Sequence, residues 1–412
     1  MRRGEVRAAA RQRRIVKFAM PLAVIVGIAG FGAALAGAAP SSGPGSVVPA
    51  QDPFYTAPAN IASYSPGQIV ASRPVSLSLS VPVNAWQISY RSEDSHGNPE
   101  MAVTTLVVPQ APWTGTGSRP AVSYEVAEDA TGTQCAPSYL MASSGGGSSD
   151  LDLGTMLKKG WAVQDPDYEG PKSAWMAGPQ AGHAVLDGIR AADAFLPGGL
   201  TASTRWGLDG YSGGANATGW AAQLQPTYAP EVHLVGAAMG GTPADPKAVA
   251  ESVDGGLFSG FELAAAYGIN QDYPEMDIAS IENAAGKTAL SQVGGRCLLS
   301  ILAQYPFKKL THYTTVSDPL DYPTIAPVLA EDTLGNATPS SAPIYDYHAD
   351  TDEVVPVAQD NTLTQNWCAR GATVQIVRDL VGEHGEEAIL REGDVETFLT
   401  NRFAGAAPTN TC

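Results

Sequence analysis

The chain has 412 residues, of which 44% are hydrophobic and 16% are charged, a composition typical of a globular protein with one large domain or two smaller ones. Its formal net charge at pH 7 is −17, from 41 acidic and 24 basic side chains. A surface this acidic argues against nucleic acids and anionic membranes as partners, because they carry charge of the same sign.

The first 39 residues differ in composition from the rest of the chain. An arginine-rich start is followed by the apolar run FAMPLAVIVGIAGFGAALAGAAP, which ends in small residues. This order predicts a secretory signal peptide over residues 1–39, cleaved near Ala38 or Ala39, and therefore a secreted or cell-envelope protein. The apolar run is also long enough to span a membrane, so an uncleaved anchor is the alternative.

Residues 40–51 are rich in Gly, Ser and Pro, which predicts a flexible or extended linker before a folded domain over 52–412. Within that domain, strand-like apolar runs alternate with helical patterns such as GHAVLDGIRAADAFL. This alternation predicts an α/β fold with parallel strands joined by helical crossovers. The early runs QIVASRPVSL, AWQISYRS and MAVTTLVVP have no helix between them, which favours antiparallel hairpins.

The sequence GYSGG around Ser212 fits the pattern G-x-S-x-G. The strand-like RWGLD precedes it and the helix-compatible ANATGWAAQL follows it, which predicts a sharp strand-to-helix turn with Ser212 as nucleophile. The flanking glycines are expected because a side chain there would collide with the strand or the helix. The pattern alone occurs by chance in glycine-rich chains, so the interpretation depends on the flanking strand and helix.

Between Pro246 and Leu310 the sequence has helical patterns and no convincing strand. An insertion of this kind in an α/β sheet predicts a cap over the binding site, and ordinary outer-layer helices are the alternative. Its apolar residues Leu257, Phe258 and Phe261 are expected to influence which substrates fit.

A serine nucleophile needs a base, which in the α/β-hydrolase order follows an acid that itself follows the serine. His233 lies in the next strand pattern, and His312 comes too early for an acid from a later strand to precede it. His348 ends a strand-like run, where histidines are more often structural. His384, in LVGEHGEEA, is expected in a glycine-flanked loop before a helix and is the candidate base.

The run APIYDYHADTDEVVPV offers four candidate acids, Asp346, Asp350, Asp352 and Glu353. Asp352 is preferred because it lies past the strand end and close before the apolar VVPV. Asp350 stays open as the alternative, because spacing alone does not separate two carboxylates in one loop.

A tetrahedral oxyanion needs two backbone N–H donors. Gly213, after the nucleophile, would supply one, and the loop over residues 128–132, after the strand-like PAVSYEVA, is the natural source of the other. No CxxC motif or Cys/His cluster indicates a metal site, and neither a metal nor a cofactor is expected.

Four cysteines, Cys135, Cys297, Cys368 and Cys412, make an even number. In an exported chain this predicts two disulfides, with three possible connectivities, and four free thiols are the alternative.

Several motifs together resemble the secretory lipase family, the lipase A-like branch of the α/β-hydrolases in yeasts and actinobacteria: DPFYTAP, SYEVAEDA followed by CAPS, GWAVQDPDYEGP, GYSGG, DEVVPV and GEH. The likeness covers nearly all of the chain after the leader. It implies an α/β-hydrolase fold with a mostly parallel central sheet and a helical lid at about 244–310.

The same resemblance implies roles for individual residues: a triad of Ser212, Asp352 and His384, oxyanion donors at Gly213 and Asp129, and disulfides Cys135–Cys297 and Cys368–Cys412. Family members hydrolyse carboxylic esters, often long-chain triacylglycerols. We therefore expect an exported triacylglycerol lipase that acts on a lipid or small ester, with oil–water interfaces as one place of action. The alternatives are a carboxylesterase for small or aromatic esters, an acyltransferase and a non-catalytic binding protein of the same fold.

Overall fold

A computed structural model of the chain describes residues 44–144 and 151–412. The predicted signal peptide and the first residues of the predicted linker lie outside the described residues. From residue 49 onward the predicted linker is ordered: Pro49–Gln51 forms a 3-10 turn in which Pro49 is buried. Ordered structure therefore begins before the predicted boundary at residue 52, because proline at the first position of the turn restricts the backbone to the turn geometry.

A sheet of nine strands forms the centre of the described fold. In chain order the strands are β1 Ile69–Val75, β2 Val83–Glu93, β3 Pro99–Pro109, β4 Ala121–Glu125, β5 Ala162–Pro166, β6 Trp206–Tyr211, β7 Leu234–Gly240, β8 Ile344–Ala349 and β9 Val374–Asp379. Their spatial order is β1-β2-β3-β5-β4-β6-β7-β8-β9. The pairs among β1, β2, β3 and β5 are antiparallel, and those from β5 through β4 to β9 are parallel. The predicted α/β fold and its early hairpins are confirmed.

Helices cover both faces of the sheet and also form a large insertion. They are α1 Pro137–Ser143, α2 Leu151–Lys158, α3 Gly178–Ala194, α4 Gly213–Tyr228, α5 Pro246–Val253, α6 Gly260–Asp272, α7 Ala284–Val293, α8 Leu298–Gln304, α9 Ala326–Glu331, α10 Val357–Ala369 and α11 His384–Phe403. Helices α3 and α4 pack together in one core cluster, and α2 and α11 contribute to a second. The sheet is thereby buried on both sides, as a parallel sheet requires.

The helical insertion lies between β7 and β8 and contains α5 to α9. Its helices continue beyond the predicted end near residue 310, because α9 and the turn before it pack Ile325, Val328 and Leu329 against Ile269 and Tyr273 of α6 and its C-terminus. Several prolines in this stretch obscured the helical pattern, since proline interrupts a helix except in its first turn.

Two disulfides join distant parts of the described chain. Cys135 pairs with Cys297 and Cys368 pairs with Cys412, which is the connectivity that the resemblance implies. The first bond ties the insertion to the loop after β4, and the backbone of Thr131 also bonds to Gly295 and Arg296 there. The second holds the C-terminal residue to α10.

Candidate active site

Ser212 lies on a strained turn between β6 and α4. Its backbone angles are φ 56° and ψ −122°, a conformation that non-glycine residues rarely adopt. The N–H of Ser212 donates to the carbonyl oxygen of Gly240 at 2.9 Å, which holds the turn in place. The predicted strand–turn–helix arrangement is present.

The glycines around Ser212 make this turn sterically possible. A Cβ at Gly214 would lie 1.8 Å from the carbonyl oxygen of Glu125, and one at Gly210 would lie 2.4 Å from the carbonyl oxygen of Gly214. Any side chain at either position would force the turn away from the neighbouring strand or helix.

Ser212, His384 and Asp352 form a continuous hydrogen-bonded chain. The Nε2 atom of His384 lies 2.8 Å from Ser212 Oγ, and its Nδ1 atom lies 2.7 Å from Asp352 Oδ2. Both distances lie in the range that proton transfer and orientation of the imidazole require. Ser212 follows β6, Asp352 follows β8 and His384 follows β9, so the carboxyl ends of three parallel strands bring them together.

His384 is the first residue of α11, where the sequence predicted a loop. Its backbone N–H donates to Oε2 of Glu353 at 3.0 Å, and the hydroxyl of Tyr211 donates to its carbonyl oxygen. The imidazole is therefore held by a helix end rather than by a mobile loop, because both backbone polar groups of His384 have partners.

Asp352 is fixed on both carboxylate oxygens. Its Oδ1 atom accepts the backbone N–H groups of Val354 and Val355 at 2.9 and 2.8 Å, which leaves Oδ2 for His384. Burial opposes ionisation, but hydrogen bonds from His348 and His384 hold the pKa of Asp352 well below its usual range. Asp350, the alternative acid, is exposed, and Asp346 binds Arg378 instead.

The loop predicted to supply the second oxyanion donor lies against Gly213. Asp129 has φ 43°, and its Oδ1 would be 2.0 Å from a Cβ at Gly213. Burial raises the pKa of Asp129 to about 6, although the charge of His384 and the Trp175 indole oppose this. The predicted pair Gly213 and Asp129 is thus side by side at Ser212.

Two residues that the sequence did not single out hold this loop. The N–H of Glu128 donates to the hydroxyl of Tyr168 at 2.9 Å, and the N–H of Ala130 donates to Oε1 of Glu169 at 3.1 Å. Tyr168 and Glu169 therefore fix the backbone on either side of Asp129. Both belong to the motif GWAVQDPDYEGP and lie directly after β5. Their position at the carboxyl end of a parallel strand is the signal that could have identified them from the sequence.

Ser212, Gly213 and Asp129 line a cavity that extends under the helical insertion. Its apolar walls include Val249, Val253, Phe261, Leu263, Ile269, Met276, Ile278, Ile281, Leu290, Leu310, Leu320, Ile325, Leu329, Val354 and Val355. Most of these side chains come from the insertion. The cavity therefore combines a polar reactive end with an apolar body.

Of the three insertion residues expected to influence which substrates fit, one lines the cavity. Phe261 is in the wall, whereas Phe258 packs against Val253 and the Val354–Val355 pair, and Leu257 is 51% exposed. Leu257 lies outside the wall because the turn before α6 directs it to the surface, so Phe261 is the one of the three that is placed to meet a substrate in the cavity.

Within residues 44–144 and 151–412, no three His, Cys, Asp or Glu side chains are grouped so that they could hold a metal ion. Over the same ranges no helix has the length and apolarity needed to cross a membrane.

The fold and the placement of these side chains define an α/β-hydrolase. The profile of the secretory lipase family matches residues 146–411. Candida antarctica lipase A, solved in its closed state, superposes with a TM-score of 0.82 at 33% identity, over 89% of each chain.

Curated relatives agree with the profile. The secreted triacylglycerol lipase LIP1 of Malassezia furfur is 34% identical over 88% of this chain and 77% of its own length. A probable inactive lipase of Mycobacterium tuberculosis is 33% identical over 88% of this chain and 84% of its own length. The chain belongs to the secretory lipase family and, with it, to the carboxylic ester hydrolases.

Proposed function

We propose that this protein is a secreted triacylglycerol lipase that uses Ser212 as nucleophile, His384 as base and Asp352 as acid, through an acyl-enzyme. The observation that carries the proposal is the continuous contact from Ser212 Oγ through the His384 imidazole to Asp352, beside a large apolar cavity.

In the acylation step, His384 Nε2 removes the proton of Ser212 as Oγ attacks the ester carbonyl carbon. Asp352 stabilises the imidazolium that forms, and the backbone N–H groups of Gly213 and Asp129 bind the oxyanion. His384 then donates the proton to the departing alcohol oxygen. Water, deprotonated by the same imidazole, attacks the acyl-enzyme and releases the carboxylic acid.

The cavity supports a long acyl chain as the preferred substrate, because its body offers aliphatic and aromatic contacts far from the reacting ester. Glu262 is one of the carboxyl groups in the wall. Burial and the nearby Asp254 raise the pKa of Glu262 to about 9, so that it is neutral at pH 7. A neutral carboxyl at this position avoids the cost of desolvating a carboxylate beside a hydrocarbon chain.

Export is supported by two features. The leader over residues 1–39 has the order of a signal peptide, and the four cysteines are paired in two disulfides, which persist in oxidising compartments. The name of the Malassezia furfur relative, a secreted lipase, points the same way.

The Mycobacterium tuberculosis relative, named a probable inactive lipase, makes a non-catalytic binding protein the competing hypothesis. The intact Ser212–His384–Asp352 contacts support activity, since a binding protein would not need them.

Hydrolysis of p-nitrophenyl esters from acetate to palmitate, and of a triolein emulsion, tests the proposal. We expect activity to extend to long chains and to fall by several orders of magnitude in Ser212→Ala, because the remaining pocket and oxyanion donors give only residual catalysis. Ser203→Ala, at an exposed position, is the matched control and should behave as wild type.

Each of the other possible results of these assays would indicate a different function. Hydrolysis confined to acetate and butyrate would indicate a carboxylesterase, and a new ester formed only with an added alcohol would indicate an acyltransferase. No turnover of any ester by the folded wild-type protein would indicate the binding protein.

A further inference from the structure

His348, at the end of β8, is a second histidine on the triad acid. Its side chain is fully buried, and its Nε2 atom lies 2.9 Å from the carbonyl oxygen of Val355 and 3.3 Å from Asp352 Oδ2. Its Nδ1 atom lies 3.0 Å from Asp360 Oδ2. Both ring nitrogens therefore face acceptors, and a carbonyl oxygen has no proton to give.

A neutral imidazole has one donor nitrogen and one acceptor nitrogen, so it would leave one of these contacts without a proton. The Nε2 atom must carry a proton to bond the carbonyl oxygen of Val355. Asp360 Oδ2 also lies 3.0 Å from Arg378 Nη2, so this oxygen faces donors on two sides and acts as an acceptor, which makes Nδ1 of His348 a donor as well. The contacts thus describe a doubly protonated, positively charged ring.

The electrostatics of the site agree with this charge assignment. Burial opposes the charged ring, but its hydrogen bonds to Asp352 and Asp360 raise the pKa of His348 to about 10. The ring is thus cationic throughout the neutral range.

Other charged groups pack around this ring from each neighbouring element. Asp346 lies on β8, Asp360 on α10, Arg378 on β9 and Glu387 on α11. Burial raises the pKa of Asp346 and of Glu387 to about 7. Because these two groups are present in wild type and variants alike, only a difference between pH profiles reports on His348.

Asp352 Oδ2 accepts from His384 Nδ1 at 2.7 Å and forms an ion-pair contact with His348 Nε2 at 3.3 Å. A neutral residue at position 348 would remove a positive charge beside the triad, so the hydrolytic site as a whole would take up a proton at higher pH in such a variant. The contact of His348 with Asp352 Oδ2, together with the two N–H bonds to Oδ1, fixes the direction of the Asp352 carboxylate.

We propose that His348 is a positioning residue of the hydrolytic site, a permanent imidazolium that orients Asp352 toward His384. The proposal rests on the proposed function, in which His384 is the base. A neutral residue at position 348 therefore shifts the acid limb of the pH–rate profile to higher pH and lowers kcat, while KM changes little because His348 does not line the cavity.

Two measurements test the proposal. The first is the ¹⁵N NMR spectrum of the histidine rings in the wild-type protein at pH 8, assigned with His348→Gln and, if that variant does not fold, with Asp360→Asn. We expect the nitrogen shifts of a doubly protonated ring for His348. The shifts of a neutral ring at pH 8 would overturn the charge assignment.

The second is the pH dependence of kcat/KM for p-nitrophenyl butyrate. We expect the acid limb to move up by roughly half a pH unit or more in His348→Gln and by less in Asp360→Asn, with no shift in His233→Gln, an exposed control. A uniform fall in rate with an unmoved acid limb would mean that His348 is only structural.

The two measurements fail in different ways. If the wild-type protein hydrolyses no ester, the proposed function and the catalytic role of His348 are wrong together, whereas the NMR spectrum still decides the charge on the ring. If the enzyme is active and the spectrum shows a neutral ring, only the inference on His348 is wrong.

Discussion

His348, Asp352 and Asp360 form a buried group of ionisable side chains beside His384, whereas the cavity that Ser212 shares with the helical insertion has mostly aliphatic and aromatic walls. A buried charge requires a partner of fitting geometry, because its desolvation is otherwise uncompensated. An apolar wall requires volume and shape, which many residue combinations supply. Substitutions in the charged region should therefore change the rate for every ester, and those in the cavity should change which esters are preferred.

The largest effect after loss of Ser212 is expected at Asp352, the proposed triad acid. Asp352→Asn should lower kcat for all chain lengths by about 10⁴-fold, because the amide no longer stabilises the imidazolium or holds its tautomer. Asp350→Asn, two residues away and exposed, should stay within about threefold of wild type. Steady-state kinetics on acetate and palmitate esters measure both, and the reverse ranking would transfer the acid to Asp350.

A substitution in the cavity should separate chain lengths. Val249→Trp adds bulk to the cavity wall and should lower kcat/KM for the palmitate ester by about tenfold, with acetate little changed, because only the long chain needs the occupied space. Leu257→Trp is the matched control, since Leu257 is 51% exposed and outside the wall. Equal losses on acetate and palmitate would place the acyl chain elsewhere.

The smallest effect concerns Glu262, the buried carboxyl in the cavity wall. Because its pKa in the folded protein, about 9, is above the ordinary carboxyl value, the unfolded chain releases this proton between these two values while the folded protein keeps it. Rising pH therefore costs stability over that window. Glu262→Gln should raise the melting temperature at pH 8 relative to wild type and leave it nearly unchanged at pH 4; an equal change at both pH values would mean that Glu262 is not neutral when folded.

The residues of the site differ in how far they could be predicted from the sequence. Ser212 and His384 stand out because a nucleophile turn needs glycines at set positions and the base must follow the acid in chain order. Asp352 and Asp350 were not separable by spacing. The structure distinguishes them through the N–H groups of Val354 and Val355, which turn Asp352 toward His384.

The partners of these residues were not predictable, because they meet only in the folded chain. His348 was interpreted as structural from its strand end, and nothing local shows its contact with Asp360. Strand β9 is hard to recognise from the sequence, because its alternation of apolar and polar residues is short. The parallel pairing of strands β4 to β9, by contrast, follows from the alternation of strands and helices that the sequence displays.

The most direct measurement of the central claim is covalent capture of the nucleophile by a long-chain alkyl phosphonate ester, followed by peptide mapping. We predict one phosphonate on the peptide that contains Ser212, formed more slowly in Val249→Trp and absent in Ser212→Ala, with release of the leaving alcohol in equal amount. A phosphonate on another residue, or no adduct on the folded wild-type protein, would contradict the account.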